Sequence, residues 1–402
     1  MWVRFLPGAP THKISIGMEK FISNISEIEK IEVLDTSKYW LHTSSGKLLD
    51  LQMGNSAFVF GYSDKEIIER MNSNNVRFVR NGEGETSQEI KSVVAKLLSM
   101  SNMSALSWSV SGTDAVETAL AISEHYWKNT DQRKNKIVSL IPCYHGASWL
   151  TRSLRGEVEN NICRYVKAPS WITQEEQVTS EDITLSQIKQ HFETREIGSI
   201  IIESIPWVLG VYPFSPTFWK RLKELCHTYN TLLILDDVAG CFGKLGKPFT
   251  NVTLDIPADI IAVGKSISGG YSPIGAALIN KRVFDCIGHI DWSHTYTFNP
   301  NTLGVSAIAA VLDKIENNVF DRAEIIQERM DKILTDLSIP YRNQGLCYDI
   351  IVETKTVYTQ LKSVGFSFNA YNPSSVPIVA PLIADDEYFD FLKAGLRGVF
   401  NV

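Results

Sequence analysis

Lys265 follows the apolar run 259–264 without a break, and Ser266-Ile267-Ser268-Gly269-Gly270 comes after it. A lysine held among apolar neighbours loses solvation of its charged form. Its pKa falls, and the amine becomes a nucleophile toward carbonyls. Gly264 leaves room beside it, and the later glycines let the chain bend. The same residue would serve equally as a surface charge at a strand end. Asp236 and Asp237 close the run "TLLILDD" (231–237). An aspartate directly after an apolar strand stays ionised only beside a positive partner or good donors, and a protonated pyridine nitrogen is one such partner. A pair of acids in a turn is the plain alternative. Ser111-Gly112-Thr113 follows "ALSWSV" (105–110) and opens a helical stretch with Asp114 and Glu117 in its first turn. Unpaired N–H groups there bind anions, and a glycine lets a phosphate come close. An ordinary helix cap uses the same residues. No GK[ST] follows, so this is not a Walker loop. Tyr144-His145-Gly146 after "KIVSLI" (136–141) and Glu203 in "GSIIIESI" (198–205) complete the set.

Elements must hold these residues together. Short continuous apolar runs alternating with helical stretches read as strands of a sheet covered on both faces. Such sheets bind ligands just beyond the carboxyl ends of their strands. In a parallel sheet the residues after each run converge at one edge. The order of phosphate cradle, aromatic, carboxylate and lysine then favours a site over the plainer readings. Lys244 and Lys247, in the Gly-rich "GCFGKLGK", read as surface charges. Upstream, "YWLHTSSGKLLDL" reads as a hairpin turning at Ser44-Ser45-Gly46. "DKEIIERMNS" and "SQEIKSVVAKLLSM" carry apolar residues at helical spacing. Downstream, the stretch from Asn301 to Leu337 reads as a long helix bent near Asn317-Asn318, with "GLCYDIIVE" and "SVPIVAPLI" as later strands. We expect an N-terminal segment over 1–54 that joins the small domain, a large cofactor-binding domain over 55–290, and a small C-terminal α+β domain over 291–402.

The motifs "SVSGTDAVETALAI", "YHGAS", "LLILDDVAGCFGKLGK", "IIAVGKSISGGYSPIGA" and "HTYTFNPNTLGVSAIAAVLDKI", taken in order, resemble the class III (ω-type) aminotransferases. The similarity runs from about residue 30 to the C-terminus. It implies the pyridoxal-phosphate (PLP) transferase fold type I, an aspartate-aminotransferase-like α/β architecture with a mostly parallel central sheet covered by helices. It implies PLP as cofactor. Lys265 matches the lysine that bonds to the cofactor aldehyde and later shuttles the substrate proton. Asp236 matches the acid that keeps the pyridine nitrogen protonated, so that the ring can accept electrons. Ser111, Gly112 and Thr113 match the phosphate cradle. Tyr144 matches the residue stacked on one ring face, with His145 beside it, and Val238 would pack on the other face. Glu203 matches a family glutamate near the site. Thr297 matches a threonine that reaches the phosphate from the neighbouring subunit, which implies a homodimer with shared sites.

The chain also departs from the family pattern. Ala239 stands where a polar side chain, often glutamine, usually meets the cofactor's O3′. Ala147 replaces an arginine or similar residue in "YHGAS". No arginine occurs between Arg342 and Arg397, where members acting on amino acids often carry a carboxylate-binding one. A bidentate arginine is the natural receptor for a carboxylate. One substrate is therefore expected to be an aldehyde, ketone or amine lacking a carboxylate at the usual place, such as a specialised-metabolite or peptide-derived carbonyl. Trp108, Trp149 and Trp207 are candidates for an apolar pocket, although each would also fit a core position. Arg152 and Arg155 are candidates for the donor's carboxylate. The same cofactor supports aminomutase or decarboxylase chemistry, and a non-catalytic paralogue is the alternative from another class. Retention of Asp236 and Lys265 argues against the last.

Composition narrows the rest. The 402 residues are 44% hydrophobic and 21% charged, with a net charge of -6. That is a globular balance, and it argues against a general nucleic-acid binder. No GxGxxG opens a helix after a strand, so a Rossmann nucleotide site is disfavoured. The six cysteines show no CxxC or CxxxC spacing, which fits reduced thiols and a cytoplasmic protein rather than a metal site or disulfide scaffold. Cys241 reads as a buried, inert thiol. The N-terminus lacks the apolar core of a signal peptide, and no run approaches a membrane span. The sequons at Asn24, Asn102 and Asn251 then read as chance matches.

Overall fold

The computed structural model describes residues 31–74, 85–170, 174–292, 294–352, 355–369 and 375–400. Three antiparallel strands open it: β1 (Val33–Ser37), β2 (Trp40–Thr43) and β3 (Gly46–Asp50). β2 and β3 form the expected hairpin, with Trp40 opposite Leu49 and Thr43 opposite Gly46. Directly after β3 the chain makes an unusual turn. Met53, Gly54, Asn55 and Ser56 have φ of +47, +60, +57 and +66°, all in the left-handed region. That conformation costs a non-glycine residue about 1–2 kcal/mol. Asp50 offsets the cost by accepting hydrogen bonds from Gln52 N at 2.8 Å, Gly54 N at 2.8 Å and the Tyr62 hydroxyl at 2.5 Å.

The central sheet has seven strands: β4 (Ala105–Ser109), β5 (Lys136–Ile141), β6 (Cys163–Lys167), β7 (Ile197–Glu203), β8 (Leu232–Asp236), β9 (Ile260–Val263) and β10 (Gly275–Ile279). Their spatial order is β4-β10-β9-β8-β7-β5-β6. β5 to β9 pair in parallel, while β10 runs antiparallel to both its neighbours, β4 and β9. Every residue of β7, β8 and β9 is buried, and the two-residue strand period sends alternate side chains into two cores. Ile200, Ile202, Leu233, Leu235, Ile261 and Val263 enter the larger core. Ile201, Leu232, Ile234, Ile260 and Ala262 meet Ala115, Val116 and Ala119 of the helix Gly112–Thr130 on the other face. Burial on both faces is why these strands read as unbroken apolar runs.

All five runs read as strands are strands. β6 and β10 were not expected. β6 carries Arg164 and Lys167 on an edge, and β10 is built from "GAALI" directly behind a Gly-rich stretch. The expected long helix is two, Thr302–Glu316 and Arg322–Asp336, separated by a 3-10 turn at Val319–Asp321 and by Asn318 at φ +61°. β11 (Tyr341–Gln344), β12 (Cys347–Ile351), β13 (Phe366–Ser367) and β14 (Ser375–Val379) follow. β12 pairs antiparallel with β11 and β14, whereas β13 leaves that sheet and pairs in parallel with β3. No described helix is long and apolar enough to cross a membrane.

Replacing Asp50 with alanine leaves two backbone N–H groups and the Tyr62 hydroxyl without their acceptor. Asp50→Ala is expected to lower the unfolding free energy by about 1–3 kcal/mol in chemical denaturation. An unchanged denaturation midpoint would show that the left-handed turn does not depend on this carboxylate.

Candidate active site

The register of the central sheet brings Glu203, the last residue of β7, level with Asp236, the last of β8, and Asp236 level with Ala262 of β9. Three residues after Ala262 comes Lys265. The three ionisable groups therefore lie side by side at the carboxyl edge, as the sequence implies. Lys265 itself has φ +48°, a strained backbone for a residue with a side chain. Its amine takes no hydrogen bond or ion pair from the described residues. Burial pushes its pKa below the ordinary lysine value, and the nearby Lys244 charge adds to that, while Asp236 and Glu203 pull the other way.

Asp236 is 5% exposed. Its Oδ2 lies 2.8 Å from His145 Nδ1, and its Oδ1 accepts from Val238 N at 3.2 Å. Burial alone would push His145 down, but Cys143 and the Asp236 carboxylate outweigh it and raise its pKa well above the usual imidazole value. His145 thus backs Asp236 with positive charge. The turn after β5 also aims Tyr144 N at Glu203 Oε2, 3.1 Å away. Tyr144 is 47% exposed, with the Arg155 guanidinium 4.7 Å from its ring centre. Burial pushes Glu203 up to about 7, partly offset by His145 and Lys265.

The opening of the helix Gly112–Thr130 completes the edge. Ser111 caps it, accepting from Asp114 N at 3.2 Å. The N–H groups of Gly112 and Thr113 have no partner among the described residues, as the first turn of a helix leaves them. A Cβ on Gly112 would stand 2.5 Å from Val238 Cγ1, and one on Gly264 would stand 2.8 Å from Gly112 Cα. Only glycine at both places lets the chain before Lys265 meet the helix start. Thr297 is exposed in a turn beside Phe298, which is 67% exposed. The adjacent Tyr296 hydroxyl lies 3.1 Å from His294 Nε2, and burial and the Asp114 carboxylate raise its pKa.

Other expectations divide. Trp108 is 3% exposed in β4 and belongs to the core, while Trp149 is 72% exposed. Trp207 is half-buried in the segment after β7. Arg152 is paired with Glu157, and Arg155 with Glu157 and the Gly146 carbonyl. Cys241 is fully buried, its thiol pushed up to about 12 by burial, so it is the inert thiol expected. Lys247 is exposed, but Lys244 is not a surface charge: it is 0% exposed. The Gly-rich loop folds inward and packs under the C-terminal sheet, which composition alone does not reveal. Ser204 and Thr250, which hold Asp237, were also not foreseen. Asp237 accepts from Ser204 Oγ at 2.7 Å, Thr250 Oγ1 at 2.8 Å and Thr250 N at 3.1 Å.

A family model for aminotransferase class-III matches residues 31–397, and the chain belongs to that family. Its cofactor is pyridoxal phosphate. The chain is 31% identical over 248 residues to the adenosylmethionine-8-amino-7-oxononanoate aminotransferase of Aquifex aeolicus (strain VF5), covering 56% of this chain and 53% of that protein. It is 24% identical over 370 residues to the acetylornithine aminotransferase of the same organism, covering 86% and 95%. Against the first, and against its Staphylococcus aureus counterpart, the chain spans about half of the relative's length, 53% and 49%. Among solved structures, a PLP-bound amine transaminase from an uncultivated Pseudomonas species shares the fold with a TM-score of 0.85, at 19% identity, over 96% of this chain and 99% of that one. The strand-end residues fit the cofactor. The open N–H groups at Gly112 and Thr113, the space kept clear of a Cβ, the buried Asp236 and the unpartnered Lys265 amine each suit one part of it.

The raised Glu203 pKa carries a sign. The folded protein holds its proton up to about pH 7, while an unfolded glutamate releases it near pH 4.3. Stability is therefore lost between those values as pH rises, since the unfolded state binds fewer protons there. Glu203→Gln is expected to flatten the fall in unfolding free energy across that window. A pH series of denaturation curves checks it, and parallel profiles for the two proteins would refute the assignment.

Proposed function

We propose that the protein is a PLP-dependent aminotransferase that moves an amino group from a donor to an aldehyde or ketone. The observation that carries the reading is the alignment of Glu203, Asp236 and Lys265 on adjacent strand ends, opposite the open start of the helix Gly112–Thr130. When bound, PLP supplies an aldehyde that condenses with amines and a pyridine ring that accepts electrons. Gly112 and Thr113 would hold the phosphate with N–H groups at the positive end of a helix dipole. Asp236, backed by His145, would hold a proton on the ring nitrogen. Tyr144 and Val238 would fix the ring plane from its two faces. Lys265, low in pKa and without a hydrogen-bond partner among the described residues, would be the amine that bonds to the cofactor aldehyde, and the same amine would serve as the base toward the substrate Cα proton.

The acceptor is read as a carbonyl compound without a carboxylate at the usual place, a specialised-metabolite or peptide-derived one included. Arg342 is committed to the Leu209 carbonyl at 3.3 Å, and Arg397 is exposed on the last helix. The half-buried Trp207-Val208-Leu209 segment leaves the sheet just after Glu203 and offers apolar surface there. Arg155, over the Tyr144 ring, is the better placed of the two arginines for a donor's carboxylate. Thr297, with the exposed Phe298 and the 38%-exposed Leu303, supports a homodimer in which this turn serves the partner's phosphate site. The cysteines of the described chain are free thiols, which supports a cytoplasmic setting.

A spectral titration of the PLP-loaded protein with amines and amino acids tests the reading. Conversion to the pyridoxamine form with release of a free carbonyl is expected. Release of carbon dioxide or a rearranged amine would favour the other reactions. A 2-oxo dicarboxylate as the sole acceptor would refute the substrate assignment. Lys265→Ala is expected to lower kcat by at least about 10²–10⁴-fold, the range for a lost general base.

A further inference from the structure

Lys244 has no part in the chemistry above, yet it is one of the largest fully buried side chains in the protein. A buried ammonium needs a carboxylate or several good acceptors. Lys244 has no ion pair among the described residues. Its Nζ donates instead to the Cys241 carbonyl at 2.9 Å and to Ser266 Oγ at 2.5 Å. Ser266 is itself 0% exposed and donates to the Ser56 carbonyl at 2.7 Å.

Both ends of that chain are strained. Ser266 follows Lys265, whose φ is +48°, and Ser56 closes the left-handed turn that begins at Met53. One amine, through one hydroxyl, joins two backbone segments that lie 210 positions apart in sequence. The backbone of Lys244 is held from the other side. Its carbonyl accepts from Leu346 N at 2.7 Å, and Gly345, at φ +60°, presses against the same carbonyl with no room for a Cβ. Residue 244 thus spans the distance from the turn between β11 and β12 to the Lys265 turn.

We propose that Lys244 is a positioning residue for Lys265: its amine grips Ser266, and through Ser266 the Ser56 carbonyl, so that the strained Lys265 turn stays facing Asp236 and Glu203. The inference rests on the reading of Lys265 as the amine that bonds to the cofactor. Lys265 is also faced by Cys241, and Lys244 by Cys241, Cys347 and Asp237. Burial pushes the two thiols up to about 12, so they stay neutral. Asp237 is occupied by Ser204 and Thr250. Removing Lys244 therefore takes away a like charge and a hydrogen-bond donor, and leaves the carboxylates that favour a charged Lys265.

The test uses full-length protein freed of cofactor. Lys265 is labelled with acetic anhydride across a pH series and followed by peptide mass spectrometry, and its capture of added PLP is followed by absorbance. In the wild type, Lys265 is expected to label with a midpoint below that of an ordinary lysine and to capture PLP. In Lys244→Met the midpoint is expected to rise, with about tenfold less neutral amine, and about tenfold slower capture, per unit of rise. Ser266→Ala, which keeps Lys244 but cuts its link to Ser56, is expected to slow capture as well, and it decides the matter if Lys244→Met does not fold. A Lys244→Met protein that melts earlier but keeps the wild-type midpoint and capture rate would overturn the proposal, as would unchanged capture in Ser266→Ala. Wild-type protein that captures no PLP at Lys265 would instead overturn the functional reading, and this inference with it.

Discussion

Three carboxylates, Glu203, Asp236 and Asp237, are buried within two adjacent strand ends, and the site depends on how their charge is compensated. Water does it for none of them, since all are less than a tenth exposed. Asp237 is fully engaged: two hydroxyls and a backbone N–H fill its oxygens. Its task is to tie the end of β8 to Thr250. Asp236 has one N–H and the His145 imidazole, whose pKa stands well above the usual value. Among the described residues Glu203 has a single N–H, from Tyr144, and burial raises its proton affinity. Under-compensated charge in a buried place calls for a partner from outside the chain, or for a proton. Burial raises Asp237 to about 6 as well, but two hydroxyls and an N–H fill its oxygens, so it is an architectural acid, while Asp236 and Glu203 end the two strands beside Lys265.

One reversed strand makes the geometry possible. β10 runs against its neighbours, so it begins at the edge where β4 and β9 end. The loops leaving β4 and β9 can then fold over its start and touch, although the strands are two spacings, about 10 Å, apart. Gly112 and Gly264 are the contact. A uniformly parallel sheet would send a third chain crossing through that space.

Much of this was legible because it follows from periodicity and strand ends. Five strands, three of them buried throughout, read as apolar runs, and the residues after them pointed to the site. β10 was hidden because alanine and glycine carry little strand signal, and β6 because an edge strand tolerates charge. Lys244 was misread for a different reason. A Gly-rich stretch with two lysines has the composition of a solvated loop, and only tertiary packing shows that one lysine points inward. The left-handed turn at Met53–Ser56 had no sequence signal beyond Gly54, since Asp50 and the Ser266 hydroxyl enforce it from outside. The pairing of His145 with Asp236 was equally silent, because it joins the turn after β5 to the end of β8.

The parallel pairing of β13 with β3 bears on biosynthesis. Leu49 and Asp50 find their partners at Phe366 and Ser367, more than three hundred residues later. At ordinary elongation rates of about 5–20 residues per second, the first sheet emerges roughly 15–60 s before its last strand exists. Through that interval the nascent chain carries an open strand edge beside the Met53–Ser56 turn, whose Ser266 latch also arrives late. An unpaired edge of that kind is what ribosome-associated chaperones shield and what aberrant self-association exploits.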